Sequence, residues 1–216
     1  MQQMIPIPFV LRRGHSDNPA EGTCAMAAIA WLTEGRHTDA PECACPLITR
    51  FVIAANDAMD DTARQRFIPY LHRIAGSRSA AHEAARLRIM WLAAVRVFAP
   101  RALDAAGLRQ HAARLRALPD GVTPNEARAA AWAAEAAAAR AEARTAAAAE
   151  AAAWAAEEEA AAAAARAEAR AAAWDDYFRV LEDVLNAGPQ GEPWSADAIE
   201  TGHNAYRAAC AATLMR

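Results

Sequence analysis

The feature that most constrains the fold is an alanine-rich stretch over residues 126–174. About two-thirds of its residues are Ala, and neither Gly nor Pro occurs in it. Alanine is the strongest helix former, and apolar residues at helical spacing continue the pattern beyond this stretch. We therefore predict one helix from Glu126 to Asn186, ended by Gly188 and Pro189. If unbroken, it would be roughly 90 Å long.

Capping residues, glycines and prolines predict further helices on both sides of this one. In chain order these are Thr23 to Glu34 with Thr23 as the cap, Pro46 to Asp57, Asp60 or Asp61 to Ala75 with a kink or break at Pro69, Ser79 to Pro100, Leu103 to Leu118, and Ser195 to the C-terminus. In the helix that Pro46 opens, apolar residues at helical spacing predict one core face, formed by Leu47, Ile48, Phe51, Val52 and Ala55. The helix before Pro100 carries Leu87, Met90, Trp91, Ala94, Val95 and Phe98. We expect an all-α protein with three parts. These are a compact N-terminal helical domain (1–119), the long Ala-rich helix (120–188) and a C-terminal helix that packs back (189–216).

The charges of the long helix are sorted by sign around its axis. One sector holds Glu135, Glu142, Glu150, Glu157 and Glu168, and the opposite sector holds Arg140, Arg144, Arg166 and Arg170. Few opposite charges lie three or four residues apart, so these charges contribute little to their own helix. The pattern indicates an arm or a self-association surface. The alternative is a solvated helix folded against the first half of the chain, with a composition set by GC-rich codon use.

Bulk composition argues against several classes of partner. The chain has a net charge of −3, and all 23 of its basic residues are Arg. This balance does not indicate a phosphate-binding surface, and the basic stripe is too sparse to favour nucleic acid. We expect no signal peptide and no membrane span. A cytoplasmic protein is the expectation, and in that compartment four cysteines are more typical of thiols or metal ligands than of disulfides.

Residues 21–46, "EGTCAMAAIAWLTEGRHTDAPECACP", concentrate groups that could carry chemistry. Thiolates and imidazole are the ligands that zinc prefers, so Cys24, Cys43, Cys45 and His37 form the candidate metal set, to which His15 or Asp39 could also contribute. The positive end of a helix dipole also favours thiolate at Cys24 and at the cysteines before Pro46. However, Cys-x-Cys is not the Cys-x-x-Cys spacing of zinc knuckles, and no second cysteine pair follows. A disulfide or redox pair, a nucleophile and plain buried thiols remain open alternatives.

A nucleophilic site would need a base and a group that orients the base. Cys24 or Cys43 could be the nucleophile, His15 or His37 the base, and Asp39 or Asp57 the orienting carboxylate. The catalytic candidates that follow are His15, Cys24, Asp39 and Asp57. The sequence lacks a recognisable Gly-rich oxyanion loop, which weighs against this hypothesis, and it has no nucleotide-binding glycine loop. Zinc is therefore the one cofactor considered.

The stretch "GHSDNPAEGTCAMAAIAWLTEG…DAPECACPLITRFVIAANDAMDD" resembles a family of uncharacterised proteins from GC-rich bacteria and some of their phages. The family pattern is Gly-His, Gly-x-Cys-x-Met-Glu, Asp-x-Pro-x-Cys, Pro-x-Ile and Asn-Asp. The matching residues, within 14–79, are His15, Gly22, Cys24, Met26, Asp39, Pro41, Cys43, Pro46, Asn56 and Asp57. Ala27 stands where the pattern has Glu. The resemblance implies an Ala-rich helical tail but no activity, and it favours His15, Cys24, Asp39 and Cys43 over Cys45 and His37.

The sequence thus predicts a non-enzymatic interaction or scaffold protein. It would associate with itself or with another helical protein through the Ala-rich helix. The alternative is a small zinc-binding or cysteine-dependent, hydrolase-like protein that uses Cys24 and Cys43.

Overall fold

The computed structural model describes residues 9–14, 23–119 and 156–214. Its helices are, in chain order, α1 (Ala25–Thr33), α2 (Pro46–Ala58), α3 (Asp61–Arg64), a 3₁₀ helix (Gln65–Tyr70), α4 (Leu71–Ala75), α5 (Ala80–Ala93), a π-helix (Ala94–Phe98), α6 (Ala99–Ala105), α7 (Arg109–Arg116), α8 (Ala156–Asn186) and α9 (Ala196–Leu214). Within these ranges there is no β-sheet, and the β-type pairing consists of one parallel bridge between Leu11 and Thr23. The predicted all-α fold is confirmed. His15 and residues 126–155 of the Ala-rich stretch lie outside the described ranges, so the three-part domain division stays a prediction.

The chain forms two compact units. One consists of Met1–Leu87 together with Leu181–Arg216, and the other of Arg88–Val180. The first unit contains the predicted cysteine-containing segment and α9. In the second unit, α6 and α7 enclose a small core of Leu103, Ala112 and Leu115.

Helix α1 is the centre of the first unit. All eight residues from Ala25 to Leu32 are buried. Successive residues of a helix point 100° apart, so eight buried residues in a row mean that the helix is covered on every side. It packs against α2, α4 and α9. Small side chains allow this close packing: a Cβ added at Gly202 of α9 would lie 2.7 Å from the carbonyl oxygen of Trp31.

The cap of α1 differs from the prediction. Cys24, not Thr23, is the N-cap, and its Sγ accepts a hydrogen bond from the backbone N–H of Ala27 at 3.4 Å. Thr23 lies one residue earlier, in the bridge to Leu11. That backbone pairing fixes Thr23 outside the helix, so the next residue takes the cap position. Thiols are weak acceptors, and sequence rules for caps therefore favour the threonine.

The predicted break at Pro69 is confirmed. Asp60 caps α3 through its carboxylate, which accepts from the N–H of Ala63 at 2.8 Å. The chain then tightens into the 3₁₀ helix, which contains Pro69, before α4 begins. Proline has no N–H to donate to the helical ladder, so a uniform α-helix to Ala75 is excluded.

Two predicted boundaries between Ser79 and Leu118 were wrong. Helical structure does not stop at Pro100. The chain forms a π turn before it, in which the N–H of Ala99 donates to the carbonyl oxygen of Ala94. The proline therefore lies in the first turn of α6, where its missing N–H is tolerated. The predicted helix from Leu103 to Leu118 is divided into α6 and α7 at Gly107, whose φ of +75° ends a helix. The core face predicted for α2 is buried at Ile48, Val52 and Ala55. Of the apolar residues before Pro100, by contrast, Leu87 is 53% exposed.

Two fully buried arginines, Arg64 and Arg86, donate hydrogen bonds to carbonyl oxygens near helix C-termini. Arg64 donates to the carbonyl oxygens of Asn56 (2.8 Å) and Met59 at the end of α2, and to the carboxylate of Asp61.

Arg86 donates to the carbonyl oxygens of Ser77, Val184 (3.3 Å) and Pro189 (2.9 Å), the latter two at the end of α8. Carbonyls at a helix C-terminus lack intrahelical partners and carry the negative end of the dipole, so a guanidinium suits them.

The apolar stripe predicted for the end of α8 consists of Trp174, Tyr177, Phe178, Leu181, Val184 and Leu185, and it is confirmed except at Trp174, which is only partly buried. Its buried members are Tyr177, Phe178, Leu181, Val184 and Leu185. Earlier in the same helix, residues 168–171 are all exposed. Among the described helices, none is both long enough and apolar enough to cross a membrane.

Candidate functional site

The candidate site with the most converging residues lies at the N-terminus of α1, around Cys24. Asn56 of α2 accepts a hydrogen bond from the N–H of Ala25 (3.2 Å) and donates one to the carbonyl oxygen of Arg12 (3.0 Å). Asp57 accepts from the side chain of Asn56 (3.3 Å). One side-chain amide therefore joins the start of α1, the end of α2 and the extended segment 9–14.

Asp57 also fixes the backbone that leads to His15. Its Oδ1 accepts a hydrogen bond from the N–H of Gly14 at 2.9 Å, and Gly14 has a φ of +84°. His15 is the next residue and lies outside the described ranges. Of the four catalytic candidates, the structure describes Cys24, Asp39 and Asp57, and all three lie in one electrostatic neighbourhood.

This neighbourhood keeps the thiol of Cys24 protonated. Burial raises the pKa of Cys24 above its ordinary value of 9.0, and the charges of Asp39 and Asp57 raise it further. Hydrogen bonds from the backbone N–H groups of Ala27 and Met26 lower the pKa, but they do not outweigh the burial. The sequence argument that a helix N-terminus favours thiolate is therefore wrong here, because desolvation disfavours the charged form more strongly than the helix end stabilises it.

Cys43 lies at the other end of α1. Its Sγ donates a hydrogen bond to the Oγ1 of Thr33, at 3.7 Å. It lines an open, polar cleft of about 460 Å³ together with Thr33, Glu34, Arg36 and Glu42. Arg36 forms ion pairs with Glu34 (2.7 Å) and Glu42 (3.2 Å), so its single positive charge offsets part of the negative charge of the cleft. Burial raises the pKa of Cys43, the Thr33 hydrogen bond lowers it, and the charge of Glu34 raises it.

The other two predicted metal ligands are in structural positions. Cys45 is fully buried at the N-cap of α2, and its N–H donates to the Oγ of Ser77 at 2.9 Å. The ring of His37 is partly buried beside Trp31, with 6.1 Å between the ring centroids. Both residues serve to join the loop after α1 to its surroundings.

The structure does not bring the four predicted ligands together. Cys24 caps the first turn of α1 and Cys43 contacts Thr33 in the last, and nine helical residues span about 13 Å. One zinc ion binds sulfur at about 2.3 Å, so these two thiols cannot share it. In the described part of the chain, no group of three or more His, Cys, Asp and Glu side chains is arranged to hold a metal ion. A ligand set that includes His15 lies beyond that part and stays a prediction.

A second cleft, of about 320 Å³, was not foreseen from the sequence. It lies between the C-terminal end of α1 and the start of α9, and it is lined by Trp31, Leu32, Thr33, Gly35, Asp197, Ala198, Thr201, Gly202 and Ala205. Gly202 at the α1 contact was the available signal, because a glycine inside a helix often marks a close approach of two backbones.

The chain matches no family model, no curated protein and no solved structure. The candidate residues therefore have to be judged by their own geometry and electrostatics. On those grounds Cys24, Asn56, Asp57 and the backbone of residues 12–14 form one connected centre, and Cys43 belongs to a different cleft.

Proposed function

We propose that the protein is a non-enzymatic helical interaction protein that self-associates through its Ala-rich helix. The observation that carries this proposal is the exposure of residues 168–171 in α8. Four successive helical residues point in directions that cover the whole circumference. At this point α8 is therefore covered on no side, whereas its stripe from Tyr177 to Leu185 is buried.

An exposed alanine helix is suited to pairing with another helix. Alanine forms helix readily, but helices gain most of their stability from tertiary packing. Small side chains let two helix backbones approach closely, although each buried methyl contributes only about 0.8 kcal/mol. A long contact is needed to make such pairing stable, and the predicted length of the Ala-rich helix is suited to it.

Charge favours a second copy of the chain as the partner. Glu168 and Arg170 are both exposed and lie 200° apart around α8. They follow the predicted acidic and basic stripes, most of which lie outside the described ranges. A helix with opposite charges on its two flanks can present its acidic flank to the basic flank of another copy.

Sedimentation velocity over a range of protein concentrations tests the proposal. We expect the wild type to form a concentration-dependent dimer. Glu168→Arg should weaken this dimer, and the double variant Glu168→Arg/Arg170→Glu should restore it, because the double variant keeps one charge of each sign. Glu200→Arg, at an exposed glutamate of α9, is the matched control and should have no effect. A monomer at every concentration, or equal dimerisation of all variants, would contradict helix pairing.

A cysteine-dependent site at Cys24 is the second candidate. It is favoured by the shared centre of Cys24, Asn56 and Asp57 and by the adjacent position of His15 in the chain. In this hypothesis His15 takes the thiol proton, Sγ attacks the carbonyl carbon of an activated ester, the C–O bond breaks as the acyl group moves to Sγ, and the leaving oxygen takes the proton back from His15. This hypothesis requires that p-nitrophenyl acetate release one equivalent of p-nitrophenol in a burst, although burial and the raised pKa of Cys24 weigh against it.

The controls for this burst are Cys24→Ala and Cys43→Ala. Loss of the burst in the first variant alone supports the second candidate. A burst that is absent from the wild type, or that survives Cys24→Ala, would exclude it. Elemental analysis of the purified protein tests the zinc-binding version.

Membership of the resembled family and a cytoplasmic location are also proposals. The four cysteines are free thiols, which is in keeping with a reducing compartment. Family membership would supply an architecture and no activity.

A further inference from the structure

Residues 9–14 lie across the first unit as an extended peptide whose backbone is bound by side chains. Gln65 binds both backbone groups of Leu11: the Leu11 N–H donates to Oε1 and the Leu11 carbonyl oxygen accepts from Nε2, each at 2.9 Å. A neighbouring β-strand would offer the same donor and acceptor pair.

The backbone of the next residues is bound by one main-chain carbonyl and by two side chains. The N–H of Arg12 donates to the carbonyl oxygen of Thr23 (2.8 Å), and the Arg12 carbonyl oxygen accepts from Asn56 (3.0 Å). The N–H of Gly14 donates to Asp57 (2.9 Å). All five of these hydrogen bonds involve backbone groups of the segment, which any peptide can present.

Side chains of the segment alternate in the manner of a strand. Phe9 and Leu11 are 4% and 1% exposed, whereas Val10 between them is 67% exposed. The ring of Phe9 makes edge contacts with His203 (5.8 Å) and Tyr206 (5.2 Å) of α9. The groove therefore accepts the apolar side chains of Phe9 and Leu11 and binds the backbone of Leu11, Arg12 and Gly14, whereas the side chains of Arg12 and Arg13 are exposed. Extended peptides are recognised in this way, by backbone hydrogen bonds together with pockets for alternate side chains.

We propose that this groove binds residues 9–14 of a second copy, so that two chains exchange their N-terminal segments. The contacts in the groove are the same whether the segment belongs to the same chain or to another, which makes exchange a low-cost route to a dimer. Eight residues separate Gly14 from Thr23, and an eight-residue connection can extend about 28 Å. This dimer uses a different surface from the Ala-rich helix, so it does not depend on the proposed helix pairing.

Two full-length variants with complementary defects test the exchange. Gln65→Ala damages the groove and leaves the segment intact, and Phe9→Ala/Leu11→Ala damages the segment and leaves the groove intact. We expect native mass spectrometry of a mixture of the two variants to show a heterodimer that is roughly tenfold more abundant than either homodimer. In the heterodimer, the intact segment of the Gln65→Ala chain binds the intact groove of the Phe9→Ala/Leu11→Ala chain. Helix pairing, which neither variant affects, would give the statistical 1:2:1 mixture with only about twice as much heterodimer as either homodimer, so failure of one idea is distinguishable from failure of the other.

A fluorescent peptide of residues 9–14 probes the groove directly. It should bind the Phe9→Ala/Leu11→Ala variant roughly tenfold more tightly than the wild type, whose own segment competes, and adding Gln65→Ala should abolish the gain. If circular dichroism shows that the double variant is unfolded, hydrogen exchange of the wild type is measured instead. Saturating peptide should then accelerate amide exchange at Leu11 and Arg12, because the peptide displaces the chain's own segment. Absence of peptide binding, or of that acceleration, would overturn the groove. Peptide binding without any heterodimer would overturn the second copy as its occupant.

Discussion

At the scale of single residues, burial decides what the ionisable groups of this protein do. Cys24 has two backbone hydrogen bonds that favour its thiolate, yet desolvation raises its pKa. Arg86 is fully buried, and its guanidinium is bound by three backbone carbonyls. The thiol stays neutral when its charge would be poorly solvated, but arginine cannot lose its proton and must be supplied with acceptors.

Cys24 should react slowly with alkylating reagents. It is 7% exposed, its pKa lies above 9.0, and only the thiolate is nucleophilic. We expect iodoacetamide at neutral pH to modify half-buried Cys43 before Cys24, and the rate at Cys24 to keep rising above pH 9. Mass spectrometry of peptides from timed reactions measures both rates. Equal labelling of the two cysteines at neutral pH would show that Cys24 is more accessible and more acidic than the structure indicates.

Replacement of Arg86 by Met should destabilise the protein by about 3 kcal/mol, because it leaves buried carbonyl oxygens without donors. The measurement is the free energy of unfolding from urea titration. Arg207→Met, at an exposed arginine of α9, is the control and should change stability by less than about 0.5 kcal/mol. Equal effects of the two substitutions would mean that the carbonyls find other donors.

At the scale of elements, glycines permit either a helix end or a close backbone contact. At Gly107 the reason is conformational, since φ is +75° and nothing lies within 4 Å of an added Cβ. At Gly191 the reason is space, since an added Cβ would lie 2.0 Å from the carbonyl oxygen of His72. The same contact excludes a side chain at Gly76, where the Cβ would lie 2.2 Å from the Cα of Gly191.

These two causes predict different costs for substitution by alanine. Gly107→Ala should lower the free energy of unfolding by about 1 kcal/mol, the usual cost of a left-handed non-glycine residue. Gly191→Ala should lower it by at least about 2 kcal/mol, because α4 and the segment after α8 must separate. Thermal unfolding of the two variants compares them. A smaller loss of stability at Gly191 than at Gly107 would mean that α4 and the segment after α8 can separate without a measurable change in the free energy of unfolding.

At the scale of the whole molecule, the end of α8 and the segment after it are attached to α4 by a cluster around Arg73. Its guanidinium donates to Glu182 (2.6 Å), Gln190 (2.5 Å) and Asn186 (3.0 Å). The neighbouring His72 packs its ring edge-on against Trp194. This cluster joins parts of the chain more than 100 residues apart in sequence.

The cluster should make the protein lose stability in acid. Burial, and then the charge of Arg73, lower the pKa of His72 below 6.5 and outweigh the opposing charge of Glu192. The hydrogen bond from Arg73 lowers the pKa of Glu182 below 4.5. In both cases the unfolded chain binds protons more readily, so stability is lost as the pH falls, first below 6.5 and again below 4.5.

Urea unfolding between pH 7.5 and pH 4 tests this dependence. His72→Gln should remove the part of the loss that begins below pH 6.5, and Glu182→Gln should remove the part below pH 4.5. His111→Gln, at a histidine of α7 outside this cluster, is the control and should leave the profile unchanged. Stability that does not fall between pH 6.5 and pH 5 in the wild type would contradict the role of His72.

The sequence by itself determined where most helices lie. The start of α2 at Pro46, the break at Pro69 and the end of α8 before Pro189 follow from backbone sterics that act within a few residues. The buried stripe of α8 follows from spacing alone. The predicted boundary at Pro100 was wrong because a local pattern does not distinguish a helix that ends before a proline from one that continues through a π turn.

Only the tertiary structure decided which chemical groups meet. The thiols of Cys24 and Cys43 are close in sequence, but α1 holds them at opposite ends, whereas Asn56, Asp57 and residues 12–14 converge on Cys24 from distant parts of the chain. Burial likewise set the protonation of the thiols and placed Arg86 against the carbonyls of α8. Helix formation depends on neighbours in sequence, but solvation and proximity depend on how the helices pack, and for that reason the site could not be predicted from the pattern of residues.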